Sequence, residues 1–144
     1  MKHQILQTVL MGGAMWALLA GLANAATPIT MTVGNTVITA TLDDSATTRD
    51  FIKSLPVTMK MIRWGNREYY GKVAKRLSED AQKRNRFANG DVAYWAPGGS
   101  FAVFFNDTGN TSISDLIVMG KVTSDLKAFD TLEESVDMRI EVAK

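Results

Sequence analysis

The chain has 144 residues, of which 16 are basic, 15 are acidic, one is histidine and none is cysteine. That length suits a single domain, and the near-neutral charge argues against a nucleic-acid partner, which requires a marked basic excess. Without cysteine, the chain has no disulfide framework, no thiol nucleophile and no thiolate metal site.

Residues 1–25 are predicted to be a secretory signal peptide. Lys2 and His3 form a short positive segment, residues 5–22 are mostly apolar, and Ala23-Asn24-Ala25 matches the small-x-small cleavage pattern. The alternative is an uncleaved membrane anchor, because an apolar run of about 18 residues lies at the lower limit for a span. Glycine and polar residues interrupt the run, and the cleavage pattern follows it at once, which favours cleavage.

Cleavage before Ala26 would leave one domain, residues 26–144, in the periplasm or outside the cell, with no stable membrane anchor. Without Lys2 this domain has 15 basic and 15 acidic residues, and without His3 it has no histidine. Ser–His–Asp catalysis and imidazole-bound metals are therefore excluded from it. We expect no metal site and no cofactor.

The domain begins with two alternating segments and a helix signal. Apolar and threonine residues alternate through residues 29–42 on both sides of Gly34-Asn35, which predicts a β-hairpin. Asp43-Asp44-Ser45 is a helix start signal and Pro56 is a stop, so one short helix is predicted between them.

A further strand and an aromatic segment follow the helix. Residues 57–61 alternate between apolar and polar side chains, and by the same parity Arg63 lies on the face of the two methionines in this run. Trp64-Gly65-Asn66 breaks the pattern. Residues 68–73 are predicted to form either a short aromatic strand or an ordered loop.

The second half of the domain is also rich in strand signals. Residues 75–89 are polar and are predicted to be an irregular surface segment, whereas residues 91–95 and 101–105 are predicted strands joined by the turn Ala96-Pro97-Gly98-Gly99. After them we expect a loop at 106–114, a strand at 116–122 with a bulge or close approach at Gly120, a second short helix after Ser124 or Asp125, and a last strand at 136–142.

Many short strands with turn signals indicate a closed β-barrel or a sandwich. The order of these signals resembles the bacterial cyclophilin-like domain family, and the combination of E-Y-Y-G at residues 68–71 with G-D-V-A-Y-W-A-P-G at residues 90–98 carries the resemblance. It implies a mainly β fold, a closed cyclophilin-like β-barrel of about eight strands with two short helices. It implies much less about activity, because family members are largely of unassigned function.

Prolyl isomerisation is the enzyme activity that this resemblance suggests. True cyclophilins are peptidyl-prolyl isomerases with a catalytic arginine in an F-H-R motif, which this sequence lacks. The reaction needs an apolar pocket and a hydrogen-bond donor near the prolyl nitrogen. Arg63, next to Trp64, is the candidate catalytic donor. The alternative is a structural Arg63 that reaches water or pairs with Glu68.

Aromatic residues form the second group of candidates. Consecutive aromatic residues at 69–70 and 94–95 face opposite sides of a strand, so one ring of each pair fills the barrel and the other either covers a loop or lines a groove. Glu68 is either a buried acid or, by preference, an ion-pair partner of Arg63 or Arg67. The candidate ligand-binding residues are Arg63, Trp64, Glu68, Tyr69, Tyr94, Trp95 and Phe104.

Three hypotheses about function follow from these residues. The first is an exported module that binds a peptide or a small molecule in a groove, without proven catalysis. The second is a peptidyl-prolyl isomerase or folding helper in the periplasm. The third is a structural interaction module. Neither the ligand nor the oligomeric state follows from the sequence.

Overall fold

The structure is a computed structural model that describes residues 26–144, so the predicted signal peptide lies outside the described residues. Antiparallel strands dominate it, with one α-helix and one turn of 3-10 helix. The strands are β1 Thr27–Val33, β2 Thr36–Leu42, β3 Val57–Trp64, β4 Glu68–Lys72, β5 Arg84–Arg86, β6 Asp91–Trp95, β7 Ser100–Phe104, β8 Ser112–Val122 and β9 Ser135–Val142. The helix α1 spans Ala46–Lys53, and the 3-10 turn spans Leu126–Phe129.

Eight of these strands close into a barrel. Their order is β2-β1-β9-β3-β4-β7-β6-β8, and β8 pairs back with β2 through Ala40 opposite Val122 and Leu42 opposite Gly120. The short β5 pairs with the first half of β8 and lies outside the closed ring. The predicted closed barrel of about eight strands is therefore confirmed.

The predicted hairpin and first helix are present. Gly34 takes a positive φ of 57° in the turn between β1 and β2, a conformation that costs glycine little. Ser45 caps α1 by accepting a hydrogen bond from the Thr48 backbone N–H at 3.1 Å. The second predicted helix is shorter than an α-helix: it is the 3-10 turn, capped by Asp125, which places Phe129 in the core.

The main core fills the barrel with the inward residues of the alternating strands. Period-two alternation explains why these residues share one side of the sheet. Phe51 from α1 closes part of this core, because its ring stacks on Phe101 at 4.7 Å between centroids. The fully buried large side chains of this core include Ile29, Met31, Ile38, Leu42, Met61, Tyr69 and Tyr94.

A second, smaller apolar cluster lies on the outer face of β4, β6, β7 and β8, and we call it the outer cluster. Its buried members are Phe87, Ala93, Ala102, Phe104 and Leu116. The prediction of an irregular surface segment at residues 75–89 is wrong in part. This segment contains β5 and buries Leu77 and Phe87. One isolated phenylalanine in a polar run gives no periodic signal, so the sequence does not predict its burial.

Gly120 combines both of its predicted roles. The β6–β8 register shifts between Val92 opposite Gly120 and Ala93 opposite Val118, which makes a bulge in β8. A Cβ at Gly120 would also collide with the Thr41 carbonyl oxygen of β2. Closure of the barrel therefore depends on a residue without a side chain at this position.

Within residues 26–144, no helix combines the length and the apolar character that a membrane crossing needs.

Candidate functional site

A groove with a volume of about 390 Å³ opens on the outer face of the sheet, over the outer cluster. Its apolar walls are formed by Trp64, Tyr70, Trp95, Ala102 and Ile113. Its polar lining consists of Arg67, Glu68, Ser100 and Ser114. Three of its apolar residues are aromatic, so the groove offers ring surfaces that suit a flat or apolar ligand.

Strand register explains why these side chains meet. Residues directly opposite each other in an antiparallel pair point to the same face. Trp64 pairs with Glu68 across β3 and β4, and Tyr70 pairs with Ala102 across β4 and β7. Trp95 then joins the same face on β6, where it pairs with Ser100.

The aromatic walls are held in defined positions. The Trp64 ring meets the Tyr70 ring edge to face, with 6.2 Å between centroids, while 59% of Trp64 stays exposed. The Trp95 indole N–H donates a hydrogen bond to the Ser114 carbonyl oxygen at 2.8 Å. Gly98 lies against the Trp95 ring. A Cβ at Gly98 would come within 2.5 Å of Cζ3 of Trp95, so a larger residue would displace the ring.

An ion pair lies in the polar lining of the groove. The Arg67 guanidinium donates through Nε to Oε1 of Glu68 at 2.6 Å, and its Nη2 lies 2.5 Å from the same oxygen. Only 22% of the Arg67 side chain and 8% of the Glu68 side chain are exposed. The guanidinium also lies over Phe87, 5.0 Å from the ring centroid, and near Phe104 at 5.9 Å.

Burial shifts the titration of Glu68. Removal of the carboxylate from water raises the pKa of Glu68 above its usual range, and the hydrogen bond and charge of Arg67 oppose this shift without cancelling it. The groove therefore contains a carboxyl group that is easier to protonate than an exposed glutamate.

The structure places the predicted site residues in different parts of the molecule. Trp64, Glu68 and Trp95 line the groove. Tyr69 and Tyr94 are fully buried in the main core, so they are the inward rings of their pairs. Phe104 lies beneath the groove in the outer cluster and is also fully buried.

Arg63 belongs to the opposite side of the sheet. Its guanidinium donates to the Phe129 carbonyl and to the Tyr69 hydroxyl, both at 2.9 Å, and through Nε to the Gly65 carbonyl at 2.9 Å. It also lies 4.9 Å from the centroid of the Phe105 ring. Arg63 thus joins the β3–β4 turn to the 3-10 turn, and the structure does not bring it together with Trp64 and Trp95.

Six residues of the groove lining are not among the ligand-binding candidates that the sequence predicts: Arg67, Tyr70, Ser100, Ala102, Ile113 and Ser114. Tyr70 belongs to a pair of which the sequence predicts one ring to face outward, and Arg67 is a predicted partner of Glu68. The sequence predicts a loop at residues 106–114, but β8 begins at Ser112, so Ile113 lies in a part of the strand that the sequence does not predict. Among residues 26–144 no group of three or more carboxylate or histidine side chains is placed to hold a metal ion.

Comparisons with known proteins address the fold. A family model described as a cyclophilin-like family matches residues 31–141. A hypothetical protein from Archaeoglobus fulgidus, known from a solution structure, is similar with a TM-score of 0.65 and 20% sequence identity, over 83% of this chain and 97% of that chain. At that identity the similarity shows the fold alone. No curated protein matches the chain.

Proposed function

We propose a binding function for this chain, which belongs to the cyclophilin-like family. Its outer groove holds an apolar, ring-bearing small molecule or peptide side chain. The observation that carries the proposal is the convergence of Trp64, Tyr70 and Trp95 on one groove of about 390 Å³. Ligand sites in proteins are typically concave and mostly apolar, with a few placed polar groups.

The exposure of the aromatic walls supports this function. Trp64 is 59% exposed, and Ile62, which pairs with Tyr70 on the same face, is 45% exposed. Contiguous exposed apolar surface is disfavoured in water and commonly marks a binding surface. A ligand that covers these rings would gain hydrophobic free energy of about 25 cal/mol per Å² of apolar area removed from water.

The groove favours recognition over covalent attack. Its hydroxyl groups belong to Tyr70, Ser100 and Ser114, and the lining contains no histidine or cysteine. A serine needs an adjacent general base to act as a nucleophile. Binding in this groove therefore depends on shape, ring contacts and hydrogen bonds.

Titration with a panel of aromatic metabolites and short aromatic peptides tests the proposal. A ligand of the native state raises the melting temperature and shifts the indole N–H signals of Trp64 and Trp95 in NMR spectra. Trp64→Ala should weaken binding at least tenfold. Val37→Ala, at another exposed apolar residue that is 55% exposed on β2, is the matched control and should leave binding unchanged. No binding across the panel would favour a structural interaction module instead.

A prolyl isomerase is the second candidate, favoured by one observation: an arginine, Arg67, lies beside an apolar groove. Loss of amide resonance needs a donor near the prolyl nitrogen, and the guanidinium of Arg63 is engaged on the other face of the sheet. Isomerisation of a short X–Pro peptide would be accelerated by the wild type and slower with Arg67→Met. A rate equal to the uncatalysed one removes this candidate.

We further propose that the domain acts after export, in the periplasm or outside the cell, because residues 1–25 match a cleaved signal peptide. Expression of the full chain in a bacterium should yield a protein that begins at Ala26 in the periplasmic fraction. An intact amino terminus at Met1 in the cytosol or the membrane would contradict export with cleavage.

A further inference from the structure

The Arg67–Glu68 pair supplies the charged groups of the groove lining. Both side chains are mostly buried, so the pair is only partly hydrated. Its two charges compensate each other within hydrogen-bond distance. The site therefore presents strong hydrogen-bonding groups with little net charge.

Part of the hydrogen-bonding capacity of this pair is unused. Glu68 accepts the hydrogen bonds of Arg67 through Oε1 alone. No group among residues 26–144 donates a hydrogen bond to Oε2. In residues 26–144 the fully enclosed side-chain atom without a hydrogen-bond partner is Oδ1 of Asp91, so Oε2 of Glu68 is not fully enclosed. A guanidinium has five N–H donors, and Arg67 directs only Nε and Nη2 at Glu68. An open acceptor therefore lies in the same ion pair as open donors.

The pair is held in place before any ligand arrives. The guanidinium is packed against Phe87 and Phe104, whose rings stack at 4.3 Å. The Arg67 backbone carbonyl accepts hydrogen bonds from the N–H groups of Phe105 at 3.0 Å and Asn106 at 3.3 Å. Because the side chain and backbone are both anchored, little conformational entropy remains to be lost on binding.

These features define the chemistry of the ligand. A charged ligand would add an uncompensated charge to an apolar groove, which is costly, and a purely apolar ligand would cover open polar groups without replacing their water. We propose that the Arg67–Glu68 pair selects an uncharged planar ring with an N–H donor and a C=O acceptor side by side, as in a cyclic amide or a nucleobase. The ring would lie against Trp64, Tyr70 and Trp95. This inference rests on the proposed function of the groove.

Three matched compounds test the selection in NMR titrations of the purified protein. Quinolin-2-one carries both the donor and the acceptor, N-methylquinolin-2-one lacks the donor, and quinoline-2-carboxylate is an anion. We expect quinolin-2-one to bind about tenfold or more tightly than either of the others, since one unpaired buried polar group costs about that factor or more. The indole signals of Trp64 and Trp95 report the site.

A double variant ties the preference to the ion pair. Arg67→Met with Glu68→Met removes both charges together, a change that buried pairs often tolerate because no uncompensated charge remains. It should bind quinolin-2-one and its N-methyl derivative with equal affinity. Arg139→Met with Glu141→Met removes another arginine–glutamate pair, on β9 outside the groove, and should keep the wild-type preference. The ligand-free spectrum of each variant shows whether it is folded.

The outcomes separate this inference from the proposed function. Equal binding of all three compounds at the groove, or tightest binding of the anion, would overturn the selection of an uncharged amide edge and leave the groove as a binding site. The same holds if the double variant is folded and keeps the preference for quinolin-2-one. No perturbation of either indole signal by any of the three compounds would overturn the selection, and no response to the aromatic panel as well would overturn the groove as a binding site.

Discussion

At the scale of single residues, we expect Arg63 to stabilise the fold through its hydrogen bonds. It connects the hydroxyl of Tyr69 with the Phe129 carbonyl, and it covers the ring of Phe105. Arg63→Met keeps the aliphatic stem but leaves these partly buried acceptors without a donor. Hydrogen bonds to charged groups contribute about 1.5–3 kcal/mol, so we expect a loss of about 2–3 kcal/mol in the free energy of unfolding.

Urea denaturation measures this loss, and Arg139→Met is the control. Arg139 is an arginine of another strand whose side chain is 52% exposed, so its replacement should change stability by less than about 0.5 kcal/mol. Equal stability of the Arg63 and Arg139 variants would contradict the structural role. The ligand affinity of the groove should be the same in both.

Glu68 makes a pH-dependent contribution to stability. Burial raises the pKa of Glu68 in the folded state, so between its unfolded and its folded pKa the native state binds more protons than the unfolded state. The contribution of Glu68 to the free energy of unfolding therefore falls as pH rises through this window and is constant above it.

Comparison with Glu68→Gln isolates this contribution, because other titrating groups cancel in the difference. Denaturation across the acidic range should show the stability of the wild type, relative to the variant, decreasing with rising pH. A relative stability that increases with rising pH would mean that Arg67 lowers the pKa of Glu68 by more than burial raises it.

At the scale of elements, Gly120 controls the pairing that closes the barrel. A Cβ at Gly120 would overlap the Thr41 carbonyl and approach the Leu42 Cα within 2.8 Å, so β2 and β8 would have to separate. We expect Gly120→Ala to cost about 3 kcal/mol, the upper part of the range for overpacking. Thermal or urea unfolding measures this cost.

Gly34→Asn is the matched control for a glycine substitution. Gly34 has a positive φ of 57°, but a Cβ at this position would meet no atom within 4 Å, and asparagine tolerates this conformation better than most residues. Its cost should be well below that of Gly120→Ala. Equal costs would indicate that backbone conformation, and not the contact between β2 and β8, sets the requirement for glycine.

The predictable elements are those with a clear period. Alternation identified β1, β2, β3 and β9, and cap and stop signals identified α1, because these patterns are local. The register of one strand with the next is not local. Parity placed one ring of the Tyr69–Tyr70 pair inside, but only the pairing of Arg63 with Tyr69 shows which one.

The groove was less predictable than the barrel for the same reason. It requires the first half of β8, where Ile113 lies, and the rings of the outer cluster under it, where Phe87 lies. β5 has three exposed polar residues and is defined by its long-range pairing with β8. Neither segment has a periodic pattern that distinguishes it from a loop.

At the scale of the whole molecule, one closed sheet supports two apolar clusters with different roles. The family match over residues 31–141 confirms the resemblance and includes every buried member of both clusters except Ile29. The main core fills the barrel, whereas the outer cluster lies under the groove. Stability should depend on both clusters, and ligand binding should depend most on the outer one.

Paired phenylalanine substitutions test this division. Phe87 stacks on Phe104 and supports Arg67 beneath the groove, whereas Phe129 stacks on Phe105 in the main core at 5.3 Å. Each change to alanine should cost about 3–5 kcal/mol of unfolding free energy. Phe87→Ala should also weaken binding of a groove ligand about tenfold or more, because the Arg67 guanidinium loses the ring on which it packs. Phe129→Ala, studied at a temperature where it is folded, should bind the ligand with wild-type affinity. Equal losses of affinity would show that ligand binding depends on both clusters alike and not mainly on the outer cluster.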